Sequence, residues 1–104
     1  GLIKNNIKPK KMVPIESIVK TVANYYNIEP ENVYKKTRKK EIVKPRQMVM
    51  YILREDYNMP YPTIGQKLGG RDHTTVIHSY EKIKRELKEG SILIQEVDQL
   101  RSML

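Results

Sequence analysis

An all-α fold is predicted by two features of the sequence, the spacing of its apolar residues and the placement of its prolines and glycines. Apolar residues recur three or four positions apart through most of the chain, which places them on one face of a helix, and no convincing run alternates as a strand does. Prolines and glycines separate these stretches at positions where helices begin and end. At 104 residues the chain is long enough for one domain with a single core.

The N-terminal part is predicted to contain a linker and one core helix. Residues 1–13 carry lysine, asparagine and proline with little apolar periodicity, so we expect a linker from a preceding domain, with the domain itself at 14–104. Pro14 begins a helix that is predicted over residues 14–27. The shared face of this helix carries Ile15, Ile18, Val19, Val22 and Tyr26.

The middle of the chain is predicted to hold a short helical turn, a basic loop and a third helix. Pro30 opens the turn, which ends at Tyr34, and the basic segment at 35–46 follows as an extended loop. Pro45 stands where a helix can begin, because the first helical position needs no N–H donor. This helix is predicted to run to about Tyr57, with Met48, Val49, Ile52 and Leu53 on one side.

A helix-turn-helix is predicted next, from a short helix over residues 62–68 and a longer one over 73–89. Gly69 and Gly70 permit the chain reversal between them, and the Asp72 side chain is predicted to cap the second helix by accepting from its free N–H groups. The apolar stripe of that helix is Val76, Tyr80, Ile83 and Leu87. In such a motif the second helix normally enters the major groove of DNA with its N-terminal side chains on base edges.

The C-terminal segment is predicted to be a last amphipathic helix. Gly90 is predicted to end the preceding helix, and Ser91 is predicted to cap this one. We expect its apolar stripe to close the core rather than to bind a partner. The stripe consists of Ile92, Leu93, Val97 and Leu100.

The positive charge is concentrated in one segment. Residues 35–46 hold seven lysines and arginines and one glutamate, so they carry +6 of the formal net charge of +8. A charge run by itself usually indicates a solvated loop, but a basic loop beside a helix-turn-helix is what a polyanion binder needs, since neutralised phosphates release counterions.

Other classes of function find little support. The chain has no cysteine, which excludes disulfides and thiolate metal sites and fits a reducing cytoplasm, and no apolar run approaches the length of a membrane span. His73 has only the adjacent Asp72 beside it, with no nucleophile, so no catalytic residue is predicted. His73 and His78 are five positions apart, off a common helix face, so no metal site is predicted. Residues 65–72 lack the lysine and hydroxyl of a phosphate loop, and we expect no cofactor.

Two further interpretations concern aromatic and basic side chains. The helical spacing of four tyrosines favours core positions over stacking platforms, which disfavours single-stranded DNA as the ligand. These are Tyr25, Tyr26, Tyr51 and Tyr80. Arg71 has two open interpretations, a phosphate contact or a salt bridge that fixes the turn.

Residues 45–83 resemble the C-terminal DNA-binding domain (domain IV) of the DnaA family, the bacterial initiators of chromosome replication. The resemblance lies in PRQMVMYILRE from Pro45, in the IG pair at Ile64, and in GGRDHTTVIHSYEKI from Gly69, and it continues weakly from Pro14 to the C-terminus. It implies a Trp-repressor-like fold that binds double-stranded DNA at A·T-rich DnaA boxes of the replication origin. It also implies a monomer, joined to an initiator chain whose ATPase is not in this sequence, at the bacterial nucleoid in the cytoplasm.

The resemblance also implies roles for single side chains. The residues implied to contact bases are Asp72, His73 and Thr74 in the major groove, Pro62 beside them, and Arg38 in the minor groove. The residues implied to contact phosphates are Lys36, Arg46, Gln47, Arg54 and Thr75. The chemistry suits these roles, because Asp accepts from a cytosine amino group and Thr offers a hydroxyl and a methyl.

The sequence departs from the family pattern near the short helix and in the basic loop. Pro60 stands where many relatives have a capping Ser, and Tyr61 stands where they usually have Leu, which puts the capping of that helix in doubt. Lys39 and Lys40 make the loop more basic, which favours nonspecific binding. Two alternatives remain open: a helix-turn-helix transcription regulator, and a basic module that binds proteins or acidic membranes, with acidic phospholipid as a partner near residues 1–13.

Overall fold

The computed structural model describes residues 15–90 and 92–104, and all regular structure within them is helical, as predicted. The six helices of this part of the chain are α1 (Ile15–Tyr26), α2 (Glu31–Tyr34), α3 (Lys40–Glu55), α4 (Tyr61–Lys67), α5 (His73–Lys88) and α6 (Leu93–Met103). None of them has the length and apolarity to cross a bilayer. The predicted linker at 1–13 and the predicted cap at Ser91 lie outside the described residues.

Helix α3 is the centre of the domain. It packs against α1, α2, α4 and α5, and six consecutive residues, 48–53, are all buried. This stretch of α3 is apolar on every side and therefore has neighbours all round, in contrast to a surface helix with one apolar stripe. The predicted stripe of four residues therefore understated how much of α3 is covered.

The start of α3 differs from the prediction. The helix begins at Lys40, so Pro45 lies inside it and the basic loop is reduced to residues 35–39. A proline in a helix interior costs roughly 3 kcal/mol, because one backbone hydrogen bond is lost and the ring crowds the preceding turn. Ile42, only 4% exposed, is buried by this additional turn, and burying an Ile side chain contributes about 1.5–3 kcal/mol in the opposite direction.

Helix α6 closes the core, as its apolar stripe predicted. Leu93, Val97 and Leu100 are buried, and the Arg101 guanidinium donates to both carboxylate oxygens of Asp56 at the end of α3, at 3.0 and 2.8 Å. Ile92, which was included in the predicted stripe, is 67% exposed because it precedes the helix at the cap position.

Two asparagines lie where helices α1 and α3 end. Asn27 after α1 and Asn58 after α3 both have positive φ, 61° and 53°, a left-handed conformation that asparagine tolerates better than most residues. After α1, the amide of Ile28 donates to the carbonyl of Ala23 at 2.9 Å, which closes the helix end and turns the chain towards α2.

Candidate nucleic-acid interface

The predicted helix-turn-helix is formed by α4 and α5, which pack against each other. Pro62 is exposed in the first turn of α4, where its missing N–H has no consequence. Gly65 lets α4 approach the turn closely, because a Cβ there would lie 2.1 Å from the carbonyl oxygen of Arg71. The Arg71 amide donates to the Gly65 carbonyl at 2.7 Å, so backbone contact fixes the two halves of the motif.

Asp72 occupies the N-cap position of α5, but its side chain does not cap the helix, so that part of the prediction is wrong. The Asp72 backbone carbonyl accepts from the amides of Thr75 and Val76, at 3.1 and 3.3 Å, and this closes the first turn. The carboxylate is turned towards the neighbouring His73, whose Nδ1 lies 3.5 Å from Oδ1. The carboxylate is therefore exposed in front of the helix instead of being folded back on it.

The first turn of α5 presents polar side chains outwards. His73, Thr74 and Thr75 are all exposed, and Val76 immediately after them is completely buried. Val76 anchors the turn while the three residues before it stay accessible. The free N–H groups and the positive end of the helix dipole lie at the same place, which favours an anionic ligand there.

The basic loop, defined as residues 35–39 between α2 and α3, carries exposed cations. Lys36, Arg38 and Lys39 are exposed, and none of them forms an ion pair with a carboxylate of the described residues. The Thr37 hydroxyl accepts from the Lys39 amide at 3.3 Å, which closes a small turn in the loop. Uncompensated charge of this kind creates a positive potential that attracts polyanions.

Arg46, predicted as a phosphate contact, is buried in α3 with only 8% of its surface exposed. Its Nε donates to the Val33 carbonyl at 3.2 Å, and its Nη2 donates to the Lys35 carbonyl at 2.9 Å. Burial, and secondarily the nearby Arg71, lowers the pKa of Arg46 to about 10, so the guanidinium is still charged at pH 7. In this structure Arg46 ties α3 to the end of α2 and the start of the loop.

Arg71 fixes the turn, although not by the salt bridge that was one of its two interpretations. Its Nη1 donates to the Leu68 carbonyl within the turn, and its Nη2 donates to the Lys35 carbonyl at 2.5 Å. Burial lowers the pKa of this guanidinium as well. Lys35 is thus bonded to the residue that directly precedes Asp72, so the basic loop lies beside the start of α5.

Arg54 and Gln47, two further predicted phosphate contacts, lie on α3 and are half-buried. Arg54 donates to the Met59 carbonyl at 3.3 Å, and its guanidinium lies 4.4 Å from the centre of the Tyr61 ring. No side chain caps α4 at Pro60, and Tyr61, which stands where relatives usually have Leu, contributes a ring that contacts Arg54 on α3. The cation is held between α3 and the helix-turn-helix.

Tyr61 belongs to an aromatic cluster with Tyr80 and Tyr51. Its ring lies edge-on to the Tyr80 ring, with 6.0 Å between the ring centres, and the Tyr80 ring stacks on the Tyr51 ring, with 5.5 Å between the centres. The Tyr80 hydroxyl donates to Glu55, and this bond, together with burial, raises the pKa of Tyr80 to about 12. Tyr51 is buried, which confirms its predicted core position, whereas Tyr80 is half-buried and packs against the edge of the core.

The described surface contains a groove of about 770 Å³ beside α1 and α2, and it is unsuited to DNA. Its lining includes three glutamates and two lysines, so it has no excess of positive charge to attract phosphates; these residues are Glu16, Glu29, Glu31, Lys20 and Lys67. His78 is exposed on α5, and no group of three potential metal ligands occurs within residues 15–90 and 92–104.

Comparison with known proteins agrees with this geometry. A family model described as the helix-turn-helix of bacterial dnaA protein matches residues 15–83. A crystal structure of a DNA replication initiation factor superposes with a TM-score of 0.77 at 28% sequence identity. The match covers 96% of this chain and 30% of that protein, so this chain spans less than a third of the length of its solved relative.

Proposed function

Because this chain belongs to the family of bacterial DnaA helix-turn-helix domains, we propose that it binds double-stranded DNA at the A·T-rich DnaA boxes of a replication origin. The observation that carries the proposal is the first turn of α5. Three exposed polar side chains precede the buried Val76 at the N-terminus of α5, and α5 packs against α4 in a helix-turn-helix.

The α5 turn supplies the major-groove contacts in this proposal. The exposed Asp72 carboxylate accepts from a cytosine amino group, because it is not used as a helix cap. Thr74 offers a hydroxyl to a base edge and a methyl to the thymine methyl, and His73 bonds or packs beside it. Pro62, exposed on α4, adds apolar contact.

The basic loop supplies the minor-groove contact. Arg38 is exposed and has no carboxylate partner among the described residues, so its guanidinium is free to enter a narrow A·T tract, where negative potential is concentrated. Lys36, two positions earlier, binds the phosphate backbone and contributes affinity without sequence preference.

The remaining phosphate contacts come from the surrounding helices. We assign them to Thr75 with the N–H groups of α5, to Gln47, and to Arg54, which Tyr61 holds in place. Arg46 is the weakest of the predicted contacts, because two of its donors already serve backbone carbonyls and little of its surface is exposed. Its contribution to binding comes mainly through the loop that it holds.

In this proposal the domain acts as a monomer on an asymmetric box, joined to the rest of an initiator chain, at the nucleoid in the bacterial cytoplasm. Its DNA contacts need no cofactor, and the domain itself does no catalysis. The predicted contact of residues 1–13 with acidic phospholipid lies outside the described residues.

A fluorescence anisotropy titration tests the proposal. The domain is titrated against a duplex that carries an A·T-rich box and against a scrambled duplex of the same composition, at a stated salt concentration. We expect clearly tighter binding to the box. Equal affinity for both duplexes would refute sequence-specific recognition, and selection from a randomised duplex library would then show whether another sequence is preferred.

A further inference from the structure

We propose that Arg71 is a positioning residue that fixes the distance between the basic loop and the start of α5. Its guanidinium joins the carbonyl of Leu68, in the turn before α5, to the carbonyl of Lys35, where the loop begins. This inference rests on the proposed function, because the two segments joined are those assigned to the minor and the major groove.

A second arginine donates to the same carbonyl. Arg46 on α3 donates to Lys35 at 2.9 Å and to Val33 at 3.2 Å. The Lys35 carbonyl therefore accepts from both guanidinium groups, one from the central helix and one from the turn. We call this arrangement the Lys35 anchor.

The glycine in the turn shows independently that the two segments are in contact. Gly69 has φ +93°, a conformation that side chains with a Cβ rarely adopt, and a Cβ there would lie 2.3 Å from the Tyr34 carbonyl. The turn thus packs directly on the backbone that leads into the loop. Any larger residue would push the two segments apart.

Arginine is suited to this position for a chemical reason. Its planar guanidinium carries five N–H donors in a fixed fork, so it can bond two carbonyls at once in a set geometry. Lysine has one flexible ammonium group of the same charge and cannot reproduce the fork. Neither Arg46 nor Arg71 forms an ion pair with a carboxylate of the described residues, so backbone carbonyls hold both groups.

A rigid anchor has a measurable consequence for DNA recognition. One base pair inserted between the A·T tract and the major-groove half of the box separates them by about 3.4 Å and rotates them by about 34°. A protein with a fixed distance between its two contact segments cannot follow that change, whereas a flexible loop can. The wild-type domain should therefore lose most of its preference for the box when one base pair is inserted.

The experiment compares the wild-type domain with Arg71→Lys and with the control Arg85→Lys, the same substitution at an exposed position near the end of α5. Affinity is measured on the native box, on the box with one inserted base pair, and on the scrambled duplex. We expect Arg71→Lys to lose about tenfold on the native box and less than about twofold on the scrambled duplex, with a smaller penalty for the insertion. Arg85→Lys should match the wild type.

A double-mutant cycle of Arg71→Lys with Arg38→Ala shows whether Arg71 positions the loop or contacts DNA directly. If Arg71 acts through the loop, Arg38→Ala should cost several-fold less in the Arg71→Lys background than in the wild type. Additive losses would show that Arg71 acts independently of Arg38 and would overturn the proposal.

Failure of the proposed function and failure of the proposed role of Arg71 give different results. If the wild type binds the native box and the scrambled duplex equally, the proposed function itself fails, whatever Arg71 does. If Arg71→Lys is unfolded by circular dichroism, the insertion series on the wild type still decides, because a loss of less than about threefold on insertion would refute a fixed distance.

Discussion

Replacing Tyr61 with Leu should destabilise the domain by about 1–2.5 kcal/mol, because it removes two ring contacts while keeping an apolar side chain. The Tyr61 ring lies 4.4 Å from the Arg54 guanidinium and 6.0 Å from the Tyr80 ring. A partly exposed cation–π pair contributes about 0.5–1 kcal/mol and an aromatic pair about 0.5–1.5 kcal/mol. Leu recovers part of the burial but neither interaction.

Urea or thermal unfolding measures this change, with Tyr61→Phe as the matched control. Phe keeps both ring contacts, so Tyr61→Phe should stay within about 0.5 kcal/mol of the wild type. Each kcal/mol corresponds to a shift in Tm of about 4–8 °C for a domain of this size. Tyr61→Leu should also weaken binding to the box and to the scrambled duplex alike, since Arg54 is assigned to a phosphate.

A double-mutant cycle with Arg54→Ala isolates the cation–π contribution. In the Arg54→Ala background, Tyr61→Leu should cost about 0.5–1 kcal/mol less than in the wild type. A coupling of zero would show that the Arg54–Tyr61 contact contributes no stability. If Tyr61→Phe were as damaging as Tyr61→Leu, the ring contacts would not explain the loss.

Four further predictions address the interface and the pH dependence. Thr74→Ala should cost about 1–3 kcal/mol on the box and much less on random DNA in anisotropy titrations. Lys36→Ala should weaken both alike and reduce the slope of log K against log salt by about one. Arg38→Ala should be most harmful where the facing minor groove is A·T-rich, and an unchanged preference there would remove it from the readout. The hydrogen bond from Lys44 is the main factor that lowers the pKa of Glu86. The lowered pKa stabilises the folded protein above the ordinary carboxyl pKa, and this stabilisation is lost as the pH falls through the lowered pKa. The free energy of unfolding of Glu86→Gln should therefore depend less on pH in the acid range than that of the wild type.

The helices could be predicted from the sequence because they depend on side-chain pattern. The two helices of the helix-turn-helix were each found within about one residue of their observed ends, since Pro62 and the apolar stripe of α5 mark them directly. The start of α3 was misplaced because Pro45 is a helix-start signal, and the burial of Ile42 that extends the helix past it is a tertiary effect.

The candidate site could be predicted only in part, for a related physical reason. The exposed turn of α5 follows from Asp72 and the residues after it, and the structure leaves those side chains exposed as expected. The bonds of Arg46 and Arg71 could not be read from the sequence, because their acceptors are backbone carbonyls. A carbonyl oxygen is chemically the same at every residue, so sequence gives no sign of which one a guanidinium will reach.

Under the proposed function, the short length of the basic loop makes the Lys35 anchor important for specificity. Only residues 36–39 lie between the anchored carbonyl and the first residue of α3, so both ends of the loop are held before DNA binds. Ordering four free residues on binding would cost roughly 4–8 kcal/mol at about 1–2 kcal/mol each, more than one good base contact of about 1–3 kcal/mol returns. A loop that is already held at both ends avoids much of that cost. The contribution of Arg38 to discrimination should therefore depend on Arg46 and Arg71, although neither of them needs to touch a base.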